Sequence, residues 1–397
     1  MAPERAAKKD DGPDWAQIDE VRKRLETARS LKLKNEFKTA IRLLEETVDH
    51  AQWMSAGPRD KLEVYVELAK VHAILREAEK SHVYAKKALD LVSSPGLDAY
   101  HKGMANAIYG WALHASGDKT GALKYLEKAL SLFETAKDKD GIAWVCRGIG
   151  NNYLYKGYFS KAIVYYSRAL RLNCDTGNEE DTDIVINTMA LAKGLQGLYP
   201  EAIKDLEGLV ARCTKRNNPR IVAVAHSNIA YFYQLMGDWD KALSHYEISS
   251  RIKRGFGAPG GDSHNIFGKA EVLVRTGDLN GAERLLEESF GEMMATGSDD
   301  IMSRAVRVRG ILRSERGDLK KAEEDFANAE GIMLKGGQET ILALNYIDWA
   351  VNRLRAKDAG GAKELFAKAR QIYRSLKLSY LEKELDAIMA RYGAGHS

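Results

Sequence analysis

The sequence predicts an all-α fold, a right-handed superhelical α-solenoid of about nine helix hairpins followed by a C-terminal capping helix. Two rows of residues spaced forty apart support this prediction. Alanine recurs seven times without a gap, at Ala122, Ala162, Ala202, Ala242, Ala282, Ala322 and Ala362. Glycine stands five residues before the first six of these, at Gly117, Gly157, Gly197, Gly237, Gly277 and Gly317. A fixed internal period of this length is typical of stacked repeats, and the 7 Pro among 397 residues leave long helices uninterrupted.

The glycine row predicts the turn inside each hairpin. The first helix must end there in a left-handed residue, and Gly adopts that conformation without a Cβ penalty. Lys357 takes the seventh place in this row and breaks it. Aspartate often follows the glycine and is expected to cap the second helix, at Asp118, Asp238, Asp278 and Asp318. A second row of stop residues closes each hairpin, at Gly177, Asn217, Gly257, Gly297 and Gly337.

Small and large residues alternate around the alanine row. The residue twelve places before each alanine is always Gly or Ala. The residue four places after it is large, at Leu126, Tyr166, Leu206, Tyr246, Leu286, Phe326 and Phe366. Small residues let two antiparallel helices approach closely, and the large residues fill the space between them. Because one hairpin cannot bury its own apolar face, we expect neighbouring hairpins to stack.

Two less regular hairpins precede the regular ones, which makes nine. Ala28 and Ala40 mark the first, and Ala69, Ser81 and Ala88 mark the second. A last amphipathic segment places its apolar residues on one side, at Leu378, Leu381, Leu385, Ile388 and Met389, as a capping helix would. The predicted organisation is therefore a disordered segment over residues 1–14, the solenoid over residues 15–375, and a capping helix with a short tail over residues 376–397.

The repeats resemble tetratricopeptide repeats (TPR) over about residues 20–392. The resemblance is clearest in SNIAYFYQLMGDWDKALSHYE, residues 227–247, and in RGIGNNYLYKGYFSKAIVYYSRAL, residues 147–170. The usual repeat has about 34 residues, so a period of forty is more similar to the long-unit branch. That branch includes kinesin light chains, Pins-type adaptors and bacterial peptide-sensing regulators. Lys269 and Arg309 depart from the motif, since they stand where an apolar residue is usual.

Composition and motifs exclude several function classes. A net charge of +4 over the chain does not predict nucleic-acid binding. No apolar run approaches the roughly 18 residues of a membrane helix, and three cysteines without a Cys-x-x-Cys pair suit a reducing, cytoplasmic location. The nine His form no His-Glu-x-x-His motif, and the glycines of residues 257–271 lack P-loop spacing. We therefore predict no catalytic residues, no metal site, no cofactor and no enzymatic activity.

The informative surface is then the inner one, formed by the first helix of each hairpin. At about 100° per residue, the positions 6, 3 and 2 before and 1 and 4 after each small residue share one arc. The resemblance implies that this arc lines a peptide groove. The predicted peptide-binding residues are Arg147, Asn151, Asn187, Asn228, Tyr231, Gln234, Arg304 and Arg307. Asn can pair with a peptide backbone, and Arg can hold its carboxylates.

Further along the chain the arc becomes mostly apolar, at Phe267, Val274, Val308, Ile311, Ile347, Val351 and Leu354. This stretch would take large side chains of a partner or another copy of the chain, which would then self-associate. The sequence thus predicts a non-catalytic adaptor that binds an extended, acidic protein segment. Two alternatives stay open: a peptide-sensing regulator that acts on a separate effector, and a structural subunit of a larger assembly. A further alternative is that the polar residues of the arc are only a solvated face and that the apolar ones are core residues of helices whose inner side is assigned wrongly.

Overall fold

A computed structural model describes residues 15–34, 36–49, 53, 55–75, 77–255, 262–295 and 298–393. The first helices of the hairpins are α1 (Trp15–Leu33), α3 (Pro58–Ile74), α5 (Ala99–Ala115), α7 (Lys139–Tyr155), α9 (Glu179–Gly194), α11 (Pro219–Leu235), α13 (Ser263–Thr276), α15 (Asp299–Glu315) and α17 (Glu339–Arg355). The second helices are α2 (Phe37–Asp49), α4 (Ala78–Asp90), α6 (Lys119–Ala136), α8 (Phe159–Thr176), α10 (Tyr199–Lys215), α12 (Trp239–Gly255), α14 (Leu279–Ala295), α16 (Leu319–Gly336) and α18 (Ala359–Ser375).

In the described ranges, a last helix, α19 (Ser379–Gly393), follows these nine hairpins, and a short 3-10 helix spans Leu91–Ser93. The all-α hairpin architecture is confirmed, and the described residues contain no strand. The predicted disordered segment 1–14 lies outside the described residues, as do Gly257 and Gly297. The chain divides into two compact units, residues 1–145 and residues 146–397, with the division inside α7.

The turn inside the regular hairpins is left-handed, as the glycine row predicts. The six glycines from Gly117 to Gly317 have φ between +76° and +94°. Lys357 keeps the same turn with φ of +63°, so the loss of glycine there does not change the backbone. The aspartate that follows caps the next helix: Asp278 accepts a bond of 2.9 Å from the backbone N–H of Gly281. These local rules position the first helix of each hairpin against the second.

The small and large rows meet between the two helices of a hairpin. The seven alanines from Ala122 to Ala362 are at most 1% exposed. A Cβ atom added to Gly150 would lie 2.5 Å from Cε1 of Tyr166, and one added to Gly110 would lie 2.8 Å from Cγ of Leu126. A larger side chain in the small row would therefore push the two helices apart.

The two cations that depart from the repeat motif have acidic partners. Nζ of Lys269 lies 3.5 Å from Oε2 of Glu247 on α12. The guanidinium of Arg309 donates two bonds to Asp325 on α16, at 2.6 and 3.1 Å, and lies 4.4 Å from the ring centroid of Phe290. An ion pair and a cation–π contact replace the apolar contact at these positions.

Candidate peptide-binding surface

The predicted site residues lie on four first helices of the second unit. Arg147 and Asn151 belong to α7, Asn187 to α9 and Asn228 to α11, and we call these four residues together with Tyr231 the polar arc. Each stands three or two places before, or one place after, the small residue of its helix. The 40-residue period therefore presents them on the corresponding side of successive helices.

Asn187 and Asn228 join two neighbouring first helices directly. Nδ2 of Asn228 donates a hydrogen bond of 3.0 Å to Oδ1 of Asn187, across 41 residues of sequence. Asn187 is 7% exposed, whereas Asn228 is half-buried. Among the described residues, the amide of Asn187 and the carbonyl oxygen of Asn228 have no hydrogen-bond partner. Each side chain therefore keeps one group that can bind a peptide backbone.

Arg147 and Asn151 have partners within their own and the next hairpin. Nη2 of Arg147 lies 3.3 Å from Oδ1 of Asp181 on α9. The Tyr166 hydroxyl donates a bond of 2.8 Å to Oδ1 of Asn151. Both side chains are half-buried. A peptide carboxylate at Arg147 would compete with Asp181 for the guanidinium.

Tyr231 and Gln234 point to different surroundings, although they are one helical turn apart. Oε1 of Gln234 accepts a bond of 2.7 Å from the hydroxyl of Tyr246 on α12, and Gln234 is 9% exposed. Its carboxamide therefore belongs to the interior of the α11–α12 hairpin. Tyr231 stays on the inner side, where burial raises its pKa and the charges of Arg304 and Arg307 oppose that rise.

Arg304 binds an acidic partner on its own helix. Its Nε lies 3.0 Å from Oδ1 of Asp300, and its guanidinium carbon lies 5.8 Å from the ring centroid of Phe267. His264 also contacts Asp300, with Nε2 3.1 Å from Oδ2. Burial favours the neutral form of Asp300, but the charge of Arg304 and the bonds from His264 and Arg304 lower the pKa of this carboxyl overall.

Arg307 is the centre of a buried charge network, which we define as Glu271, Arg275, Arg307 and Asp348. Arg307 donates two bonds to Glu271, at 3.1 and 3.3 Å, and one of 2.8 Å to Asp348. Arg275 donates a bond of 2.8 Å to the other oxygen of Asp348. Burial lowers the pKa of Arg307, but the two carboxylates raise it overall. Two cations and two anions thus neutralise each other.

The acidic members of this network were missed as site residues, although the sequence contains a signal for them. Glu271 stands one place after the small residue of α13, and Asp348 stands two places before that of α17. Both positions belong to the predicted inner arc. Opposite charges one repeat before and one repeat after Arg307 could have indicated internal pairing.

Most of the apolar part of the arc is covered by the chain itself, while Val351 and Leu354 are half-buried. Phe267, Val274, Ile311 and Ile347 are 3 to 7% exposed, and Val308 is fully buried. All five belong to one hydrophobic cluster that continues to Leu385 in α19. A second copy of the chain would reach these side chains only if the second unit opened, so self-association there stays a prediction.

The first unit has its own inner cluster, which the site prediction did not include. Glu67 on α3 binds Lys32 on α1 at 2.6 Å and Lys70 at 3.2 Å. Burial raises the pKa of Glu67, but Lys70 and Lys32 outweigh it and lower the pKa to about 2. Nζ of Lys70 also lies 5.3 Å from the ring centroid of Trp144, which stacks on Trp111 at 6.3 Å.

Metal-ligating and thiol side chains are the remaining groups that bear on chemistry. The described residues contain no group of three His, Cys, Asp or Glu that could hold a metal ion. Burial and the neighbouring Asp183 raise the pKa of the Cys213 thiol to about 11, which disfavours a nucleophilic thiolate. In the same part of the chain, no helix is long and apolar enough to cross a membrane.

Comparison with known proteins identifies the repeats. Two family models of the tetratricopeptide repeat match the chain, one at residues 105–135 and one at residues 225–258. The first match lies in the α5–α6 hairpin and the second in the α11–α12 hairpin, so each unit contains one. The predicted tetratricopeptide-repeat architecture is confirmed. No sequence among the curated proteins matches this chain.

Several solved structures are similar over nearly the whole chain. A Rap protein complexed with competence and sporulation factor has a TM-score of 0.73 at 14% identity, and the match covers 91% of this chain and 99% of that one. NprR in complex with its cognate peptide NprX has a TM-score of 0.62 at 14% identity, covering 90% and 98%. Aspartyl phosphate phosphatase F from Bacillus subtilis has a TM-score of 0.58 at 13% identity, covering 89% and 93%. At these identities the likeness concerns the fold.

Proposed function

We propose that this protein is a non-catalytic adaptor that binds an extended segment of a partner protein along the polar arc. The hydrogen bond between Asn228 and Asn187 carries the proposal, because it places two carboxamides side by side on successive helices. One of them keeps a free donor and the other a free acceptor. An extended peptide presents donors and acceptors in alternation, so two such carboxamides can hold its backbone without reading its sequence.

Arg147 gives the proposed site its preference for an acidic segment. Its guanidinium already binds one carboxylate, that of Asp181, at 3.3 Å. A peptide carboxylate can share or replace that contact, and a paired N–H geometry makes Arg well suited to do so. Two similar structures support a peptide ligand, since one is NprR in complex with its cognate peptide and the other is a Rap protein complexed with competence and sporulation factor.

The experiment that tests this proposal selects ligands from a library of short random-sequence peptides with the purified chain. We expect enrichment of acidic sequences, and a loss of affinity of about tenfold or more when Asn187 and Asn228 are both changed to Ala. Asn328→Ala is the matched control, because Asn328 is an exposed carboxamide on a second helix. Equal affinity of the double variant and the control would disprove the assignment of the polar arc.

The absence of catalysis is the second part of the proposal and has its own test. One similar structure is named an aspartyl phosphate phosphatase. The purified chain should therefore be incubated with an aspartyl-phosphorylated protein while phosphate release is measured. We expect phosphate release to be as slow with the chain as without it. A rate of release proportional to the concentration of the chain would contradict the proposal.

A further inference from the structure

The second unit closes on itself through the segment 376–385, which comprises the link after α18 and the first half of α19. Leu376 and Leu378 are each 5% exposed, and Leu385 is fully buried. A helix that only covered the last hairpin would not need contacts with the beginning of the unit. This segment has such contacts, at the turns of the α7–α8 and α9–α10 hairpins.

Tyr380 makes the first of these contacts. Its hydroxyl donates a hydrogen bond to the backbone oxygen of Leu195, which lies 185 residues earlier in the sequence. Its ring lies against the turn glycine of the same hairpin, since a Cβ atom added to Gly197 would be 3.0 Å from Cδ2 of Tyr380. The ring thus occupies the space that a side chain at residue 197 would need.

Leu376 makes the equivalent contact one hairpin earlier. A Cβ atom added to Gly157 would lie 2.7 Å from Cδ1 of Leu376. Phe159, the first residue of α8, is 2% exposed and belongs to the hydrophobic cluster whose other buried members run from Phe267 to Leu385. Leu154 and Leu195 also pack against this cluster. The two ends of the second unit therefore share one hydrophobic core.

This closure restricts access to the inner surface. The inner residues Phe267, Ile311 and Ile347 are at most 7% exposed, and Asn187 of the polar arc is 7% exposed. A bound peptide needs contact along several first helices, and these four residues offer it little surface. Phe267, Ile311 and Ile347 share their hydrophobic cluster with Leu376 and Leu385, so the segment contributes to their burial.

We propose that residues 376–385 form a latch that holds the second unit closed and that a partner segment binds only after the latch releases. This inference rests on the proposed function, whose site it regulates. The latch is suited to release because its contacts with the first two hairpins of the unit lie at their turns and include one hydrogen bond, whereas each hairpin is held by its full length. For a ligand that binds only the open form, the apparent affinity is the intrinsic affinity multiplied by the fraction of molecules that are open.

The test uses one pair of glycine variants that share the same backbone strain and one pair of tyrosine variants. Gly157 and Gly317 are turn glycines with φ of +79° and +84°, and a Cβ atom at Gly317 would meet nothing within 4 Å. Gly157→Ala and Gly317→Ala therefore differ in the contact with Leu376. Tyr380→Phe keeps the ring and removes the hydrogen bond to Leu195. Tyr392→Ala removes an aromatic ring from the other end of α19 and is its control.

Hydrogen exchange of the full chain, without any peptide, measures the opening. We expect Gly157→Ala and Tyr380→Phe to increase deuterium uptake in α19 and in the inner helices α11 and α13, and the two controls to leave α11 unchanged. If Gly157→Ala and Gly317→Ala take up the same amount of deuterium in α19 and in the inner helices, the latch proposal is wrong. If Gly157→Ala does not fold, Tyr380→Phe and Tyr392→Ala give the same comparison.

Peptides selected from the random library measure the gating. If the closed form holds nine tenths of the population, Tyr380→Phe should bind them up to about tenfold more tightly than wild type. Increased exchange with unchanged affinity would overturn the gating role. If neither protein selects a peptide, the proposed function fails, while the exchange result still decides whether the segment is a latch.

Discussion

Arg307 and Asp348 form a buried ion pair between the first helices of successive hairpins. Nη2 of Arg307 lies 2.7 Å from Oδ2 of Asp348, and each side chain is 8% exposed. Burying two charges costs more than a surface pair returns, so the pair is stable only because Glu271 and Arg275 complete it. Its contribution is best seen when one member is removed and the other charges stay buried.

Asp348→Asn should lower the free energy of unfolding of the second unit by about 2 to 4 kcal/mol, because Arg275 and Arg307 would then share only Glu271. Urea denaturation followed by circular dichroism measures the change. Arg254→Gln is the control: its partner Glu247 lies at 3.0 Å, but the side chains are 64% and 47% exposed. We expect less than about 1 kcal/mol for the control, and equal losses in the two variants would contradict a stabilising role of the network.

Ala282→Leu should destabilise the α13–α14 hairpin by about 1 to 3 kcal/mol through overpacking. Ala282 is fully buried between the two helices, so a larger side chain must displace its neighbours. Ala327→Leu is the control, because Ala327 lies exposed on α16. Thermal unfolding measures both variants. A neutral result at residue 282 would show that the predicted register of the small row is wrong.

Lys357→Gly should stabilise the protein by about 0.5 to 1 kcal/mol. Lys357 holds φ of +63°, a conformation that costs an L residue free energy and costs Gly none. Lys363→Gly is the opposite control, because it places Gly inside α18 and should destabilise by about 1 kcal/mol. Denaturation midpoints compare them, and a loss of stability in Lys357→Gly would mean that the lysine side chain contributes more than the strain costs.

The periodic rows could be read from the sequence because each row has a local cause. Gly237 ends one helix and Ala242 lets the next approach it, and both effects act within one hairpin. The partners of the inner residues could not be read in this way. Arg307 meets Asp348 and Glu271 only after hairpins stack, 41 and 36 residues apart.

The closure of the second unit is even harder to predict from the sequence than the partners of the inner residues. Tyr380 meets Leu195 across 185 residues, and this contact depends on the small rotation between neighbouring hairpins, summed over several repeats. The amphipathic pattern of the last helix predicts that one side is buried. It does not predict that the covering surface includes the turns of α7–α8 and α9–α10.

Stability should fall in mild acid because of His226. Its Nδ1 lies 2.9 Å from Nδ1 of His245, and burial, followed by the charge of His245, lowers the pKa of His226 from 6.5 to about 4. The folded state therefore binds fewer protons than the unfolded chain between these values. This contribution is fully present above pH 6.5 and is lost as the pH falls towards 4.

The groups that face His226 decide how large this effect is. Burial lowers the pKa of His245 as well, and the charge of Glu207 opposes this decrease. The ring of Tyr233 lies 5.6 Å from that of His245. Because His226 is only half-buried, solvent screening should reduce its contribution to about 1 to 2 kcal/mol. Urea denaturation of wild type and His226→Gln at pH 7 and at about pH 4.5 isolates it, since all other groups are shared. We expect the variant to lose less stability on acidification, and equal losses would mean that the imidazole is not held neutral by the fold.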